Sequence, residues 1–391
     1  MKRALLYWGV AAAAAVVLAA CSSSPGIVRP PAVLTPIAHP QVQPEQLWSA
    51  RIGNGAGGFF SGLRVAVRED AVFVGSRDGR AAAFNPKTGA RVWETDTHLP
   101  LSAGPSVDGG LILFGTLDAQ VVALDRATGK LVWKGAASSE VLASPVGNSQ
   151  IVVVRSVDGR VYGLHASDGT RAWSFSEAEP RLTLRGQSMP LIVGDEVLVG
   201  QDDGTLVALD MTSGKVLWQQ AIAVPSGRTE LERLVDIDAN LLGNSSAVFV
   251  DSYGDVLTVV DPTSGNLGWK RPIKSWTGMA LSPNGNQLYI SDNDGDIWAL
   301  DPGTGAEIWH DKALHFRVLS APAVQDGDVV VGDFEGYLHW LSPDSGHEIG
   351  RVRMSKDGIV AAPVVFDDTL YAMDTAGHVA AYRAKGPAAG S

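Results

Sequence analysis

The chain has 391 residues, 45% of them hydrophobic and 19% charged, with a formal net charge of −11, one cysteine and eleven tryptophans. The acidic balance argues against a phosphate backbone or an anionic lipid surface as partner, so nucleic acid is not expected. A lone thiol excludes a disulfide framework and a thiolate-rich metal centre, which leaves packing to stabilise the fold.

Lys2 and Arg3, followed by the apolar run from Ala4 to Val17, read as a signal peptide over residues 1–20, too short to span a bilayer. It ends in Leu18-Ala19-Ala20-Cys21, where small residues precede the sole cysteine, and this resembles the lipobox of bacterial lipoproteins. The resemblance implies cleavage ahead of Cys21 and acylation there, palmitate included. The plain alternative is an ordinary secretory site beside an incidental thiol. Ser22 stands where the lipoprotein sorting rule puts Asp for inner-membrane retention, which implies the periplasmic face of the outer membrane. Loss of Lys2 and Arg3 would take the formal charge from −11 to −13.

Residues 21–46 carry Pro25, Pro30, Pro31, Pro36, Pro40 and Pro44 with almost no apolar period, so an extended tether is predicted after the lipidated cysteine. At about 3.1 Å per residue such a chain reaches several tens of ångströms.

From residue 47 to 384 one unit recurs. Its clearest copies run from Asp78-Gly79 through Ala83-Phe84-Asn85 to Thr88-Gly89 and Trp93, and from Ala123-Leu124-Asp125 to Thr128-Gly129 and Trp133. Gly159, Gly204, Gly254 and Gly295 open further copies that end on Trp173, Trp218, Trp269 and Trp309. Gly336 opens a seventh that lacks the tryptophan, with Gly350 in its place, which predicts a looser seventh interface. An eighth starts at Gly377 and stops at Tyr382, while Leu47-Trp48-Ser49-Ala50 looks like its missing last strand. Residues 385–391 read as a short tail.

Periods of 40 to 50 residues, alternating apolar and polar positions and Asp-Gly turns predict an all-β fold, an eight-bladed β-propeller of four-stranded antiparallel blades. The N-terminal strand would close the last blade. Tryptophan at a fixed place suits burial between blades, where one removes about 150–250 Å² from water. Trp48, Trp93, Trp133, Trp173, Trp218, Trp269 and Trp309 are therefore assigned structural roles.

Several motifs fail on context. Gly53, Gly55 and Gly58 fit G-x-G-x-x-G, yet a strand pattern follows where a dinucleotide site needs a helix. Asp292, Asp294 and Asp296 resemble a calcium loop, but the closing glutamate position holds Gly303, so a hairpin turn is the better reading. The eight histidines show no paired-ligand spacing, and Asp202-Asp203 and Asp367-Asp368 sit at turns. No catalytic group, cofactor or metal is assigned.

Glycine spacing rises from about 40 to 45 residues between Gly159 and Gly204 and to 50 between Gly204 and Gly254, so two loops are inserted there. They carry Pro180-Arg181-Leu182-Thr183-Leu184-Arg185-Gly186 and Arg228 to Asp238, with a weak helical pattern around Glu230 to Leu234. Leucines with flanking charges suit a protein-docking patch; the alternative turns the leucines into the blade core.

The repeat phrase resembles that of quinoprotein dehydrogenases, but the adjacent cysteines and long insertions of those enzymes are missing here, which leaves only a degenerate quinoprotein as an enzyme reading. Lipobox, tether, all eight repeats and both inserted segments together resemble the BamB family, propeller lipoproteins of the outer-membrane β-barrel assembly machinery. That resemblance implies a non-enzymatic scaffold, a monomer within a hetero-complex, docking to the POTRA domains of BamA. Unfolded outer-membrane proteins are implied as clients. Motif by motif it points to Leu182, Leu184 and Arg185 in the first loop and to Asp236 and Asp238 in the second. A periplasmic propeller lipoprotein serving another client is the competing reading.

Overall fold

Each repeat folds into a meander of four short antiparallel strands, because runs rich in Val, Ala, Leu and Phe are cut at fixed intervals by turn residues. The structure is a computed structural model that describes residues 29–57, 61–177, 180, 182–184, 188–254 and 256–386. Residues 29–31 belong to a separate unit and are coil; the folded body runs from Ala32 onward.

The described residues form eight sheets. Blade 1 comprises Ala66–Val67, Val72–Gly75, Arg80–Phe84 and Arg91–Asp96. Blades 2 to 7 repeat that order, ending on the strands Leu131–Ala136, Arg171–Phe175, Val216–Ala221, Leu267–Arg271, Glu307–Asp311 and Glu348–Arg353. Blade 8 takes Val364–Phe366, Thr369–Met373 and His378–Lys385 from the C-terminal end and receives Gln43–Arg51 as its outermost strand. This is the expected eight-bladed propeller, closed by the N-terminal strand.

Alternation of apolar and polar residues holds only on the outer strands. The second and third strands, such as Val72–Gly75 and Arg80–Phe84 of blade 1, are buried on both faces apart from Arg80, because a neighbouring blade covers each side. On outer strands such as Arg91–Asp96 the tryptophan alone is buried.

The seven tryptophans do the same work at successive interfaces. Trp48 donates its indole N–H to Pro86 O (2.8 Å), Trp93 to Arg126 O (3.0 Å), Trp133 to Ala166 O (2.8 Å) and Trp173 to Met211 O (3.0 Å). Trp218, Trp269 and Trp309 donate to Pro262, Pro302 and Pro343 O at 2.9, 2.8 and 2.7 Å. In every case the acceptor lies in the turn between third and fourth strands of the next blade. The turn glycine is the seat. A Cβ on Gly129 or Gly169 would fall 2.5 Å from the ring of Trp93 or Trp133, and both glycines have φ near +70°. Those two constraints explain why Gly and Trp travel together in the repeat.

Gly350 breaks the series for a topological reason. In blade 8 the third and fourth strands come from opposite ends of the chain, so no turn exists to seat a tryptophan. Val42, just ahead of Gln43–Arg51, takes the place: Gln41 N and Val42 N both donate to Ile349 O (2.8 and 3.1 Å), and Val42 is buried. A Cβ at 350 would lie 2.6 Å from Val42 O, which only glycine avoids. Fully buried Trp340 adds an indole bond to Gln325 Oε1 (2.9 Å), and the Gln325 amide donates on to Tyr382 O (3.1 Å). The seventh interface is therefore packed, by different residues.

The proline-rich segment also departs from expectation. Ala32 N donates to His315 O (2.9 Å), Arg317 to Ala32 O (3.0 Å) and Arg351 to Thr35 O (2.6 Å), so residues 32–42 lie on blades 6 and 7. The body begins ahead of the Leu47 boundary read from the repeat.

Candidate docking site

Strand direction alternates within each blade, so the hairpins between second and third strands share one face with the links between blades. The tryptophan seats occupy the opposite face. Both inserted loops are inter-blade links, after Phe175 of blade 3 and after Ala221 of blade 4. They therefore emerge side by side.

The second loop has an outer and an inner half. Its outer half, residues 224–233, is exposed, and the weak helical pattern there becomes a single 3-10 turn over Leu231–Arg233. Thr229 Oγ1 accepts the Glu232 N–H (3.2 Å) while Glu232 Oε2 accepts the N–H groups of Arg228 (2.6 Å) and Thr229 (3.2 Å), a reciprocal cap that fixes the tip. Leu231 (71% exposed) and Val224 (73%) stand out from this tip. The inner half, Leu234 to Ile237, is buried, with Val235 against Gly204 and Ile237 against Gly200 of blade 4.

The first loop is tied to that inner half. Leu184 N donates to Asp236 Oδ1 (2.8 Å) and Met189 N to Asn240 Oδ1 (2.9 Å). Leu182 is 44% exposed and Leu184 half-buried. The leucines thus divide: Leu182 and Leu231 face outward, whereas Leu234 turns into the core.

Asp236 departs from its expected role. It is fully buried, its Oδ2 has no partner among the described residues, and its carboxyl is pushed up to about 7, chiefly by burial and then by Asp238 and Asp202. In this position the carboxylate holds the first loop through the Leu184 N–H. Asp202 is likewise raised by burial, opposed by its buried ion pair with Arg155. Asp238 is half-buried and lines a cavity on the propeller axis. Arg185 and Cys21 lie outside the described residues. Sequence reasoning missed Val224, the Arg155–Asp202 pair and Asn240; the Val-Pro-Ser-Gly run at 224–227 was the only signal, for an exposed turn.

The described residues of the two rejected motifs lie in turns, and Gly58 of the first lies outside the described residues. Gly53 and Gly55 pack against the turns at Asp78 and Gly377, and the next described strand is Gly62–Leu63. Asp292 Oδ1 accepts the N–H groups of Asp294 (3.0 Å) and Asp296 (2.9 Å), and its Oδ2 accepts the Trp298 indole (2.8 Å). Ligand atoms of Asp292, Asp296 and His310 do lie within 4.8 Å of one another. Asp296, however, is spent on His310 (2.9 Å), His315 (2.5 Å) and Lys312 (3.4 Å), which hold its carboxyl low against the opposing effect of burial. Asp333 and Asp374 repeat the Asp292 turn in blades 7 and 8, where each Oδ1 accepts two backbone N–H groups, from Glu335 and Tyr337 and from Ala376 and His378 (2.9 Å each), so the Asp292 arrangement is a hairpin device. Among the described residues no helix is long and apolar enough to cross a membrane.

A family model described as Outer membrane protein assembly factor BamB matches residues 42–97, 77–311 and 299–387. Outer membrane protein assembly factor BamB of Pseudomonas aeruginosa is 49% identical over 312 residues, covering 80% of this chain and 81% of that protein. The crystal structure of BamB from Moraxella catarrhalis superposes with a TM-score of 0.79 at 25% identity, over 87% of this chain and all of that one. A quinohemoprotein alcohol dehydrogenase from Pseudomonas putida HK5 reaches 0.71 at 13% identity, covering 88% of this chain and 77% of that one, a likeness of fold alone.

Proposed function

This chain belongs to the outer membrane protein assembly factor BamB family, and from that membership we propose that it is a non-enzymatic scaffold that docks to POTRA domains of BamA and aids the assembly of β-barrel outer-membrane proteins. The observation that carries the reading is the bond from Leu184 N–H to Asp236, which joins the two inserted loops into one surface. Exposed Leu182, Leu231 and Val224 supply apolar area to desolvate, and Arg228, Glu230, Glu232 and Arg233 supply orienting charge. Arg185 and Asp238 join this surface on the strength of the family resemblance.

Lipid on Cys21 would keep the body at the periplasmic face of the outer membrane, with residues 21–31 as the remaining spacer. Tethering raises the local concentration of a membrane partner without any added contact. Blade edges offer a second surface, for unfolded barrel strands. Val92, Leu131, Val132, Leu217 and Ile308 are exposed apolar residues on outermost strands, the positions from which an extended peptide can be added to a sheet.

Co-purification of the lipid-free body with the POTRA domains tests the docking. Retention by the unaltered chain and loss with Leu182→Asp and Leu231→Asp together are expected. Undiminished capture by that variant would sink the site.

A further inference from the structure

The inter-blade face opens on the propeller axis into a cavity of about 200 Å³, whose wall includes Arg64, Ser144, Asp238, Asn240, Trp276 and Thr277. A second cavity of about 260 Å³ shares Arg64 with the first. Arg64 therefore stands between the two.

Its placement is built in. Gly62–Leu63 pair in parallel with Leu101–Asp108, and Arg64 N donates to Gly104 O (2.9 Å), which fixes the backbone at the axis. Among the described residues no acid is paired with its guanidinium, although Asp238 shares the cavity wall. Nε is buried without a hydrogen-bond partner among the described residues, and the one charge that acts on it is the like-signed Arg68. Arg68 itself is engaged by Val67 O (2.9 Å) and Val107 O (3.1 Å). Burial first, and Arg68 second, lower the Arg64 pKa. A partly desolvated cation whose Nε finds no partner among the described residues favours an added anion, even with Asp238 on the same cavity wall.

The walls narrow the choice. Asn240, which also lines the cavity, accepts Met189 N–H through Oδ1, so the donor group of its side chain is the amide nitrogen. Planar guanidinium geometry matches the two oxygens of a carboxylate or phosphate. A space of about 200 Å³ holds an ion of that size with a few waters, at roughly 30 Å³ per water.

We propose that the axial cavity is an oxyanion site in which Arg64 binds a small carboxylate or phosphate. Because Asp238 and Asn240 belong to the second inserted loop, the site lies beside the docking surface, but it does not depend on what docks there.

Thermal unfolding of the lipid-free protein is measured in sodium phosphate, sodium acetate and sodium chloride at equal ionic strength. An upward shift over chloride of roughly 2–4 °C is expected near fifty times Kd. The larger of the phosphate and acetate shifts identifies the preferred class. Arg64→Met should erase the shift, and Arg64→Lys should keep part of it. Equal responses from wild type and Arg64→Met, or no excess over chloride in wild type, would overturn the assignment. Crystals of the unaltered protein soaked in phosphate give a readout that needs no variant to fold: density against the Arg64 guanidinium supports the site, and its absence refutes it.

Discussion

The coupling between Trp133 and Gly169 can be worked from the structure. Trp133 is 6% exposed and donates to Ala166 O at 2.8 Å, so Trp133→Ala removes a large buried ring and orphans a carbonyl. A loss of about 3–5 kcal/mol is expected from the ring alone. Gly169→Ala puts a methyl 2.5 Å from that ring at φ +72°, which costs about 1–2 kcal/mol for the left-handed backbone and a further 1–3 kcal/mol for the clash. Once the ring is gone the clash disappears, so the double variant should be less destabilised than the sum by that same 1–3 kcal/mol. Denaturant unfolding of wild type, both singles and the double closes the cycle. Additivity within about 0.5 kcal/mol would show that Gly169 is not the seat of Trp133 and would refute the staple mechanism at every interface.

Arg185→Glu should abolish POTRA capture; full capture would remove Arg185 from the site. Asp236 holds its proton to about pH 7, well above its ordinary value of 3.8, so the folded chain binds more protons than the unfolded one between those limits. Stability contributed by this group should therefore fall as pH rises from about 4 to 7, by a few kcal/mol. Asp236→Asn should flatten that slope and stabilise the protein at pH 8 while keeping an acceptor for Leu184 N–H; an unchanged slope in urea unfolding from pH 4 to 8 would contradict this. Gly350→Ala meets Val42 O and should cost about 1–3 kcal/mol, read as a lowered unfolding midpoint and faster proteolysis near residue 42.

The ring was legible because a repeated phrase constrains every blade at once. Gly and Trp recur together since one seats the other, and the orphan strand at Trp48 announced the closure. The segment from Ala32 to Val42 was not legible: proline-rich chain has no period, and its contacts to His315 and Ile349 are set by where the ring ends. The burial of Asp236 was not legible for a related reason. Val235, Asp236 and Ile237 are buried consecutively in a link that is neither strand nor helix, so no alternation distinguishes an inward carboxylate from an outward one. Arg64 carried no motif at all, being an ordinary residue that becomes unusual only because eight blades converge on it.

Uniform staples and local insertions together explain how a repeated fold comes to present one distinctive surface. Seven interfaces share one bond and the eighth is filled by Val42, so no blade boundary stands out as the place for the ring to hinge. Departures from the repeat length cluster in the two links flanking blade 4, and the buried Asp236 and the Thr229–Glu232 cap hold those links in shape. A partner that meets Leu182, Val224 and Leu231 therefore finds them already ordered, and binding is spared much of the conformational entropy that mobile loops would lose. Strength of docking should then follow the stiffness of these two links more than the number of exposed leucines. Loosening the hidden carboxylate, as in Asp236→Ala, should accordingly speed dissociation even though that side chain is buried.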